Sequence, residues 1–458
     1  MPEPSATPNQ RPGRFRWTIC VLLFFSVAVN YIDRLVIGIL KKPLSDQLGW
    51  NDADYGHIAA AFSFAYAFGY LFGGRLMDRL GVKRGLSLFV LAWSVAATAH
   101  GLCGRIGLNA QFHLSYPWYS TAEKGLVWLT LAMPMTAAGF MFARIALGLA
   151  EGGNFPGAIK AVAEWYPARE RALATGLFNA GSNVGAVLCP VAVPWIFVHL
   201  GWEATFYLTG GIGFIWVAAW WWLYDAPERH KHLSPEELAY IQEGRPAAEE
   251  PRVRVPWLSL LRHRAVWAYV LASILAGPAW GFYQFFLPDF LDKKFKLDLQ
   301  TIGWWTGAFF AIAAVGGVAG GWLAGRLMNR GWSVNAARKV SLLVCALAVV
   351  PVFFAPFAGS VWLAVLIVGV AGSAHQGWSA NLFSVVSDTM PRRAVSSVVG
   401  LGGFLCYFTG GFVNEFTGNL LQKTGSYVAV FAWFSGMYVL SLLTIQWLVP
   451  KIGAAQTK

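Results

Sequence analysis

Charge is scarce in this chain. Of 458 residues, 13% are Asp, Glu, Lys or Arg, while 56% are hydrophobic; an average soluble domain carries roughly 25% charged residues. That balance, with a mean hydropathy of +0.50, leaves too much apolar surface for a water-facing globule. Cysteine is scarce too. Cys20, Cys103, Cys189, Cys345 and Cys406 are scattered and form no CxxC pair, so neither a metal site nor a disulfide framework is expected. No glycine loop ending in Lys-Ser or Lys-Thr is present, which argues against ATP as the energy source. No cluster of nucleophile, metal ligands or cofactor-binding groups is visible, so neither an enzyme nor a cofactor is expected.

Apolar runs of about 20 residues, the length that crosses a bilayer, are abundant. They fall near 17–40, 55–76, 85–104, 133–160, 172–198, 204–224, 265–291, 302–325, 338–357, 361–384, 395–417 and 426–449. The expectation is an all-α integral membrane protein with twelve transmembrane helices in two pseudo-symmetric six-helix halves. The halves would span 17–224 and 265–449, with tails at 1–16 and 450–458 and a polar linker at 225–264. A short linker helix is expected after a Ser234 cap. The first run is followed by no small-residue cleavage site, so it reads as an uncleaved helix. The segment 101–126 carries no readable motif. Trp220, Trp221 and Trp222 read as an interfacial belt.

The duplication is written in the sequence. Gly74-Arg75-Leu76-Met77-Asp78-Arg79 returns with one change as Gly325-Arg326-Leu327-Met328-Asn329-Arg330. Each copy follows a long apolar run and precedes a basic stretch. Parallel repeats in an apolar chain point to a secondary transporter. Placing both termini in the cytoplasm puts 24 of the 35 Lys and Arg inside and eight outside, the positive-inside bias. The formal charge of +12 therefore reports topology and implies no nucleic-acid partner.

Ionisable residues inside the membrane are costly and functional by default. Asp33, Arg34, Arg144, Glu151 and Lys160 remain once loops are removed; Glu164, Asp388 and Glu415 lie nearer span ends. Asn30 sits one turn from Asp33 and Arg34. Arg144 and Glu151 are two turns apart and share a face of span four. An arginine fork suits a carboxylate and keeps its charge. Taking a carboxylate out of water penalises its charged form, so such a group can gain and lose a proton. Two arginines and two acids in one cavity suit a proton-coupled organic-anion carrier. They also suit two structural ion pairs, Asp33–Arg34 and Glu151–Arg144, and the two readings are compatible.

Other polar groups are candidates for the substrate. Tyr66 and Tyr70 are one turn apart in span two, where aromatic filling is the competing reading. Asn179, Ser182 and Asn183 in span five either present polar groups to a ligand or join helices beside Gly181 and Gly185. His375, Gln376, Trp378, Ser379 and Asn381 form a polar-aromatic cluster in an otherwise apolar span ten. Hydroxyl partners plus an aromatic plane suit a sugar acid. Tyr283 and Gln284 are weaker candidates of the same kind.

The first repeat turn extends through Gly81, Lys83 and Arg84, and it resembles the loop signature of the major facilitator superfamily. There Gly74, Asp78, Arg79, Gly81, Lys83 and Arg84 would brace a gate. The second copy departs from the signature at Asn329. Asn30-Tyr31-Ile32-Asp33-Arg34, the Arg144 to Pro156 pattern of span four and the Asp225 to Glu237 stretch resemble the anion:cation symporter family. The span ten cluster and the run from Trp280 to Pro288 are similar to hexuronate transporters. The resemblance implies Asp33 and Glu151 as protonation sites, Arg34 on the substrate carboxylate and Arg144 in the coupling network, with Asn30 and Tyr31 beside them. The expected protein is thus a monomeric, multi-pass inner-membrane symporter of a proton with a hexuronate such as glucuronate or galacturonate. The alternative is a carrier or exchanger for another organic anion, an aldonate, an aldarate, another carboxylate or a phosphate ester.

Overall fold

The computed structural model describes residues 13–107, 109–120, 125–167, 170–242, 260–390 and 392–452. Among these, nine helices are long and apolar enough to cross a membrane. Two of them, Asp52–Cys103 and Arg171–Leu223, make two crossings each, since 52 or 53 residues at about 1.5 Å per residue run to more than twice the bilayer core. Each turns back at a glycine that only glycine suits: Gly81 has φ 75° and Gly201 has φ 85°. A split fourth span completes twelve crossings.

Three features depart from the sequence reading. Span four, expected as one run over 133–160, is two helices, Met135–Glu151 and Asn154–Trp165, broken at Gly152 and Gly153. The break accompanies backbone-to-backbone packing on span two: a Cβ on Gly152 would stand 2.4 Å from the Tyr70 nitrogen. Second, the expected helical fold carries one local exception, a β-hairpin that begins within 101–126. Strands β1 (Gln111–Ser120) and β2 (Gly125–Pro134) pair antiparallel from Gln111 opposite Pro134 to Ser120 opposite Gly125. The apolar stretch from Leu126 to Met133 thus belongs to a strand, where Val127, Trp128 and Thr130 fit a β-former pattern. Third, Trp220 is not part of a belt. It is fully buried between Trp216 and Tyr224, at ring distances of 5.0 and 4.1 Å, and its Nε1 donates to the Lys83 carbonyl. Trp221 and Trp222 do face outward.

One membrane face gathers both chain ends and the central segment. The Phe15 and Arg16 amides donate to the Glu237 carboxylate at 3.1 Å, and the Arg16 guanidinium reaches Glu237 and Glu170. Glu237 lies in the helix Pro235–Gln242, and its amide donates to Ser234 Oγ at 3.2 Å, the expected cap. The Ile452 amide meets Asn335 Oδ1 near the other chain end. Residues 243–259 of the expected linker, and the tails 1–12 and 453–458, lie outside the described residues.

The halves meet as span two on eleven, one on seven, and five on eight. At the face opposite the termini an ion lattice joins them. Lys41 reaches Asp52 at 2.6 Å and Asp289 at 2.7 Å, Lys293 reaches Asp52 at 2.5 Å and Asp289 at 3.3 Å, and Lys42 reaches Asp292 at 3.2 Å. The Tyr55 hydroxyl donates to the Phe285 carbonyl at 2.7 Å, and His57 contacts Glu415 at 2.7 Å. That face is closed by contacts between halves.

Candidate functional site

Between the halves lies a cavity of about 320 Å³. It takes residues from spans one, two, four and five on one side and seven, ten and eleven on the other. Tyr269, Leu382, Phe383 and Val399 line it toward the terminal face.

The first half supplies the charge. Asn30 and Tyr31 line the cavity from span one and Glu151 from span four. The Arg34 Nε and Nη2 both donate to Glu151 Oε2, each at 3.0 Å, and Nη2 also donates to Asn30 Oδ1 at 3.1 Å. Both partners are essentially sealed from solvent, at 1% and 0% side-chain exposure, so the pair belongs to the low-dielectric interior. The observed pair therefore crosses from span one to span four and replaces the two expected pairs. Asp33, adjacent in sequence to Arg34, points to another side of the helix, about 100° away. Its carboxylate oxygens are buried without a hydrogen-bond partner among the described residues. Arg144 donates from Nη1 to the Arg34 carbonyl at 3.1 Å and leaves Nε and Nη2 unpartnered among those residues. Aromatic faces complete the setting. Arg34 lies 4.4 Å from the Tyr66 ring centroid and 5.0 Å from Tyr31, and Phe62 sits about equally near both arginines.

The second half supplies neutral groups. Gln284, His375, Gln376, Trp378 and Ser379 line the cavity, and so does Trp280, whose indole lies parallel to His375 at 5.2 Å. Tyr66, Tyr70 and Ser182 join them from the first half. Ser182 Oγ donates to the Asn179 carbonyl, a bond within its own helix. Asp33, Arg34, Arg144, Tyr283 and Asn381 lie off the cavity wall. Tyr283 is buried against Phe309. Asn381 donates twice from Nδ2, to the Gly320 and Gly377 carbonyls at 3.0 Å, and so fastens span ten to span eight.

Sequence reasoning passed over several lining residues. Tyr407 meets Tyr66 at 4.4 Å, and Asn414 bridges the halves through Ser63 Oγ at 3.0 Å. Both are polar groups in span eleven and could have been found by the same burial rule applied to neutral residues. Trp280 is visible as the first residue of the span seven run. The lattice of Asp52, Asp289 and Lys293 had no signal, because near a span end charges read as solvated.

The repeat turns lie at the terminal face. Lys160, one of the intramembrane bases, donates to Asp78 at 2.9 Å and to the Met77 carbonyl at 3.1 Å, tying the first turn to span four. Lys83 reaches Asp225 at 3.4 Å. Arg79 and Arg84 are exposed and Gly74 is partly buried beside Pro156. In the second half the brace is Arg338 to Asp388 at 2.9 Å, between spans nine and ten. Among the described residues no cluster of His, Cys, Asp or Glu could hold a metal ion.

Comparison with known proteins agrees with this architecture. The chain is 29% identical to a hexuronate transporter of Escherichia coli over 447 residues, covering 96% of each chain. It is 29% identical to a galacturonate transporter of Dickeya chrysanthemi over 339 residues, 73% of this chain and 89% of that one. Its fold is similar to a crystal structure of a D-xylose-proton symporter, with TM-score 0.70, 13% identity and coverage of 96% and 99%. The solved structure bears on the fold alone, and the two sequence relatives support a transporter of small organic anions, not an enzyme. The family model of the Major Facilitator Superfamily matches residues 23–414, and the chain belongs to that superfamily.

Proposed function

We propose that this protein carries a hexuronate together with a proton by alternating access, with the terminal face in the cytoplasm of a cell whose inner membrane it spans. The single observation that carries the reading is the buried Arg34–Glu151 pair, which meets the cavity through Glu151. Arg34 is the guanidinium directly behind that wall residue, and Glu151 occupies it. A substrate carboxylate takes that guanidinium only when Glu151 surrenders its charge, which it does by binding a proton. Proton and substrate therefore favour each other's binding, and the coupling is reciprocal. Losing the partner without replacement would strand a buried charge, at a cost of about 3–5 kcal/mol. The exchange of one carboxylate for another avoids it.

Asp33 is the second protonation site in this reading, since both its buried carboxylate oxygens lack a hydrogen-bond partner among the described residues. Arg144 joins the same network by donating to the Arg34 carbonyl. The closed ion lattice faces the outside, so the substrate leaves toward the cytoplasm from the state described. The basic residues gathered at the terminal face support that orientation. The relatives' names support a sugar acid, and the cavity's neutral groups suit its hydroxyls.

The test is uptake of labelled glucuronate and galacturonate into proteoliposomes with and without an inward proton gradient. Gradient-dependent accumulation is expected, by a monomeric carrier. Exchange without gradient-driven accumulation points instead to an anion exchanger. No transport of either acid removes the hexuronate reading.

A further inference from the structure

The hydrogen bonds behind His375 decide what its ring offers to the cavity. Tyr438 of span twelve is buried, and its hydroxyl contacts two groups: the Ala276 carbonyl at 3.2 Å and His375 Nδ1 at 2.5 Å. A carbonyl only accepts, and a phenol has one proton. Ala276 ends the first of the two helices of span seven, Arg264–Ala276 and Pro278–Phe295, and the Trp280 N–H, its donor in a continuous helix, goes instead to the Gly277 carbonyl at 3.0 Å. With the phenol proton on the Ala276 carbonyl, the phenol oxygen must accept from Nδ1–H. In a neutral ring the other nitrogen, Nε2, then carries a lone pair. That nitrogen is on the cavity side, where Ser379 Oγ stands 3.4 Å away. The parallel Trp280 indole holds the ring plane.

We infer that Tyr438 is a positioning residue that fixes His375 as the Nδ1–H tautomer, so that Nε2 accepts a hydrogen bond from a substrate hydroxyl. The inference deepens the reading of a sugar-acid carrier and rests on it for the identity of the ligand. A lone pair repels a carboxylate and welcomes an O–H. The cavity thus has two chemically distinct ends. The acid group belongs at Arg34 and the hydroxyl-bearing carbons belong at His375, so the substrate can enter in one orientation. An apolar acid of similar size gains nothing at the His375 end.

The test has two readouts. Nitrogen NMR of the full-length protein labelled with ¹⁵N-histidine, with His375→Gln to assign the signal, reports the tautomer directly. A protonated Nδ1 and a bare Nε2 are expected, and Tyr438→Phe should turn this into a mixture of tautomers. A wild-type ring protonated on Nε2 overturns the inference, whatever the substrate proves to be. The second readout is the ratio of affinities for glucuronate and for cyclohexanecarboxylate, which has the acid group and no hydroxyls. Tyr438→Phe should weaken glucuronate about tenfold, the cost of one misdirected buried hydrogen bond, and leave cyclohexanecarboxylate unchanged. His375→Gln, whose amide oxygen can accept, should retain more glucuronate affinity than His375→Lys, which only donates. Equal loss for both ligands in Tyr438→Phe means a merely structural role and overturns the inference. Failure of wild-type protein to bind glucuronate at all removes the hexuronate reading, while the NMR result still decides the tautomer.

Discussion

The two halves share a scaffold and divide the chemistry. In the first half the cavity is backed by charge: Glu151 on the wall, with Arg34 in contact behind it and Asp33 and Arg144 buried nearby. In the second half it is built on neutral donors, acceptors and rings: Gln284, His375, Trp280 and Trp378. Duplication gave both halves the same turn at the same face. The brace around it has since diverged, to Asp78–Lys160 in one half and Arg338–Asp388 in the other. A charge inside the membrane costs several kcal/mol unless it is paired, whereas a neutral hydrogen bond is worth about 1 kcal/mol. Charge can therefore store and release coupling energy. Neutral groups can discriminate between similar ligands at little cost to stability.

That division predicts where damage should fall. The largest effect is expected at Glu151. Glu151→Gln cannot release a proton, so gradient-driven accumulation should fall by a hundredfold or more while counterflow exchange persists, measured in the same proteoliposomes. Accumulation equal to wild type would move coupling out of the first half. Asp33→Asn should act in the same direction, and because Asp33 has no hydrogen-bonded partner among the described residues, it should leave the folded protein intact. A smaller effect is expected at Arg34→Lys. The charge stays, but two donors on one carboxylate oxygen become one point contact. Substrate affinity should drop by about tenfold, or about 1.4 kcal/mol, read by equilibrium binding. Unchanged affinity would mean that the guanidinium meets no substrate carboxylate.

How much of this was legible beforehand follows the same line. Buried charge is rare enough in an apolar chain that the cost of burial alone picked out Asp33, Arg34, Arg144 and Glu151. It did not pair them correctly. Residues adjacent in one helix diverge by about 100°, and the partner that Arg34 takes comes from another span, a tertiary fact that no spacing within span one or four encodes. The hairpin was lost because strand and membrane helix are both apolar over eight residues, and only alternation and β-branching separate them. The outer ion lattice was lost because each of its members looks ordinary by itself. Tyr438 was lost because a tyrosine in an apolar helix says nothing of what its hydroxyl touches.

Asn381 offers the finest test of the comparison, because in sequence it belongs to the recognition cluster and in space it does not. Its Nδ2 donates to the Gly320 and Gly377 carbonyls, and its Oδ1 meets Arg338 Nη1 at 3.4 Å. At that point spans eight and ten nearly touch: a Cβ on Gly320 would stand 2.4 Å from the Gly377 Cα. The amide thus ties two backbones that pack without side chains between them. Asn381→Ala removes two hydrogen bonds to carbonyls, a loss of about 1–3 kcal/mol. The expected outcome is a melting temperature lowered by a few degrees in detergent, with the ratio of glucuronate to cyclohexanecarboxylate affinity unchanged. A changed ratio at unchanged stability would return Asn381 to the ligand. It would also show that the neutral half reads its substrate from deeper than the cavity wall.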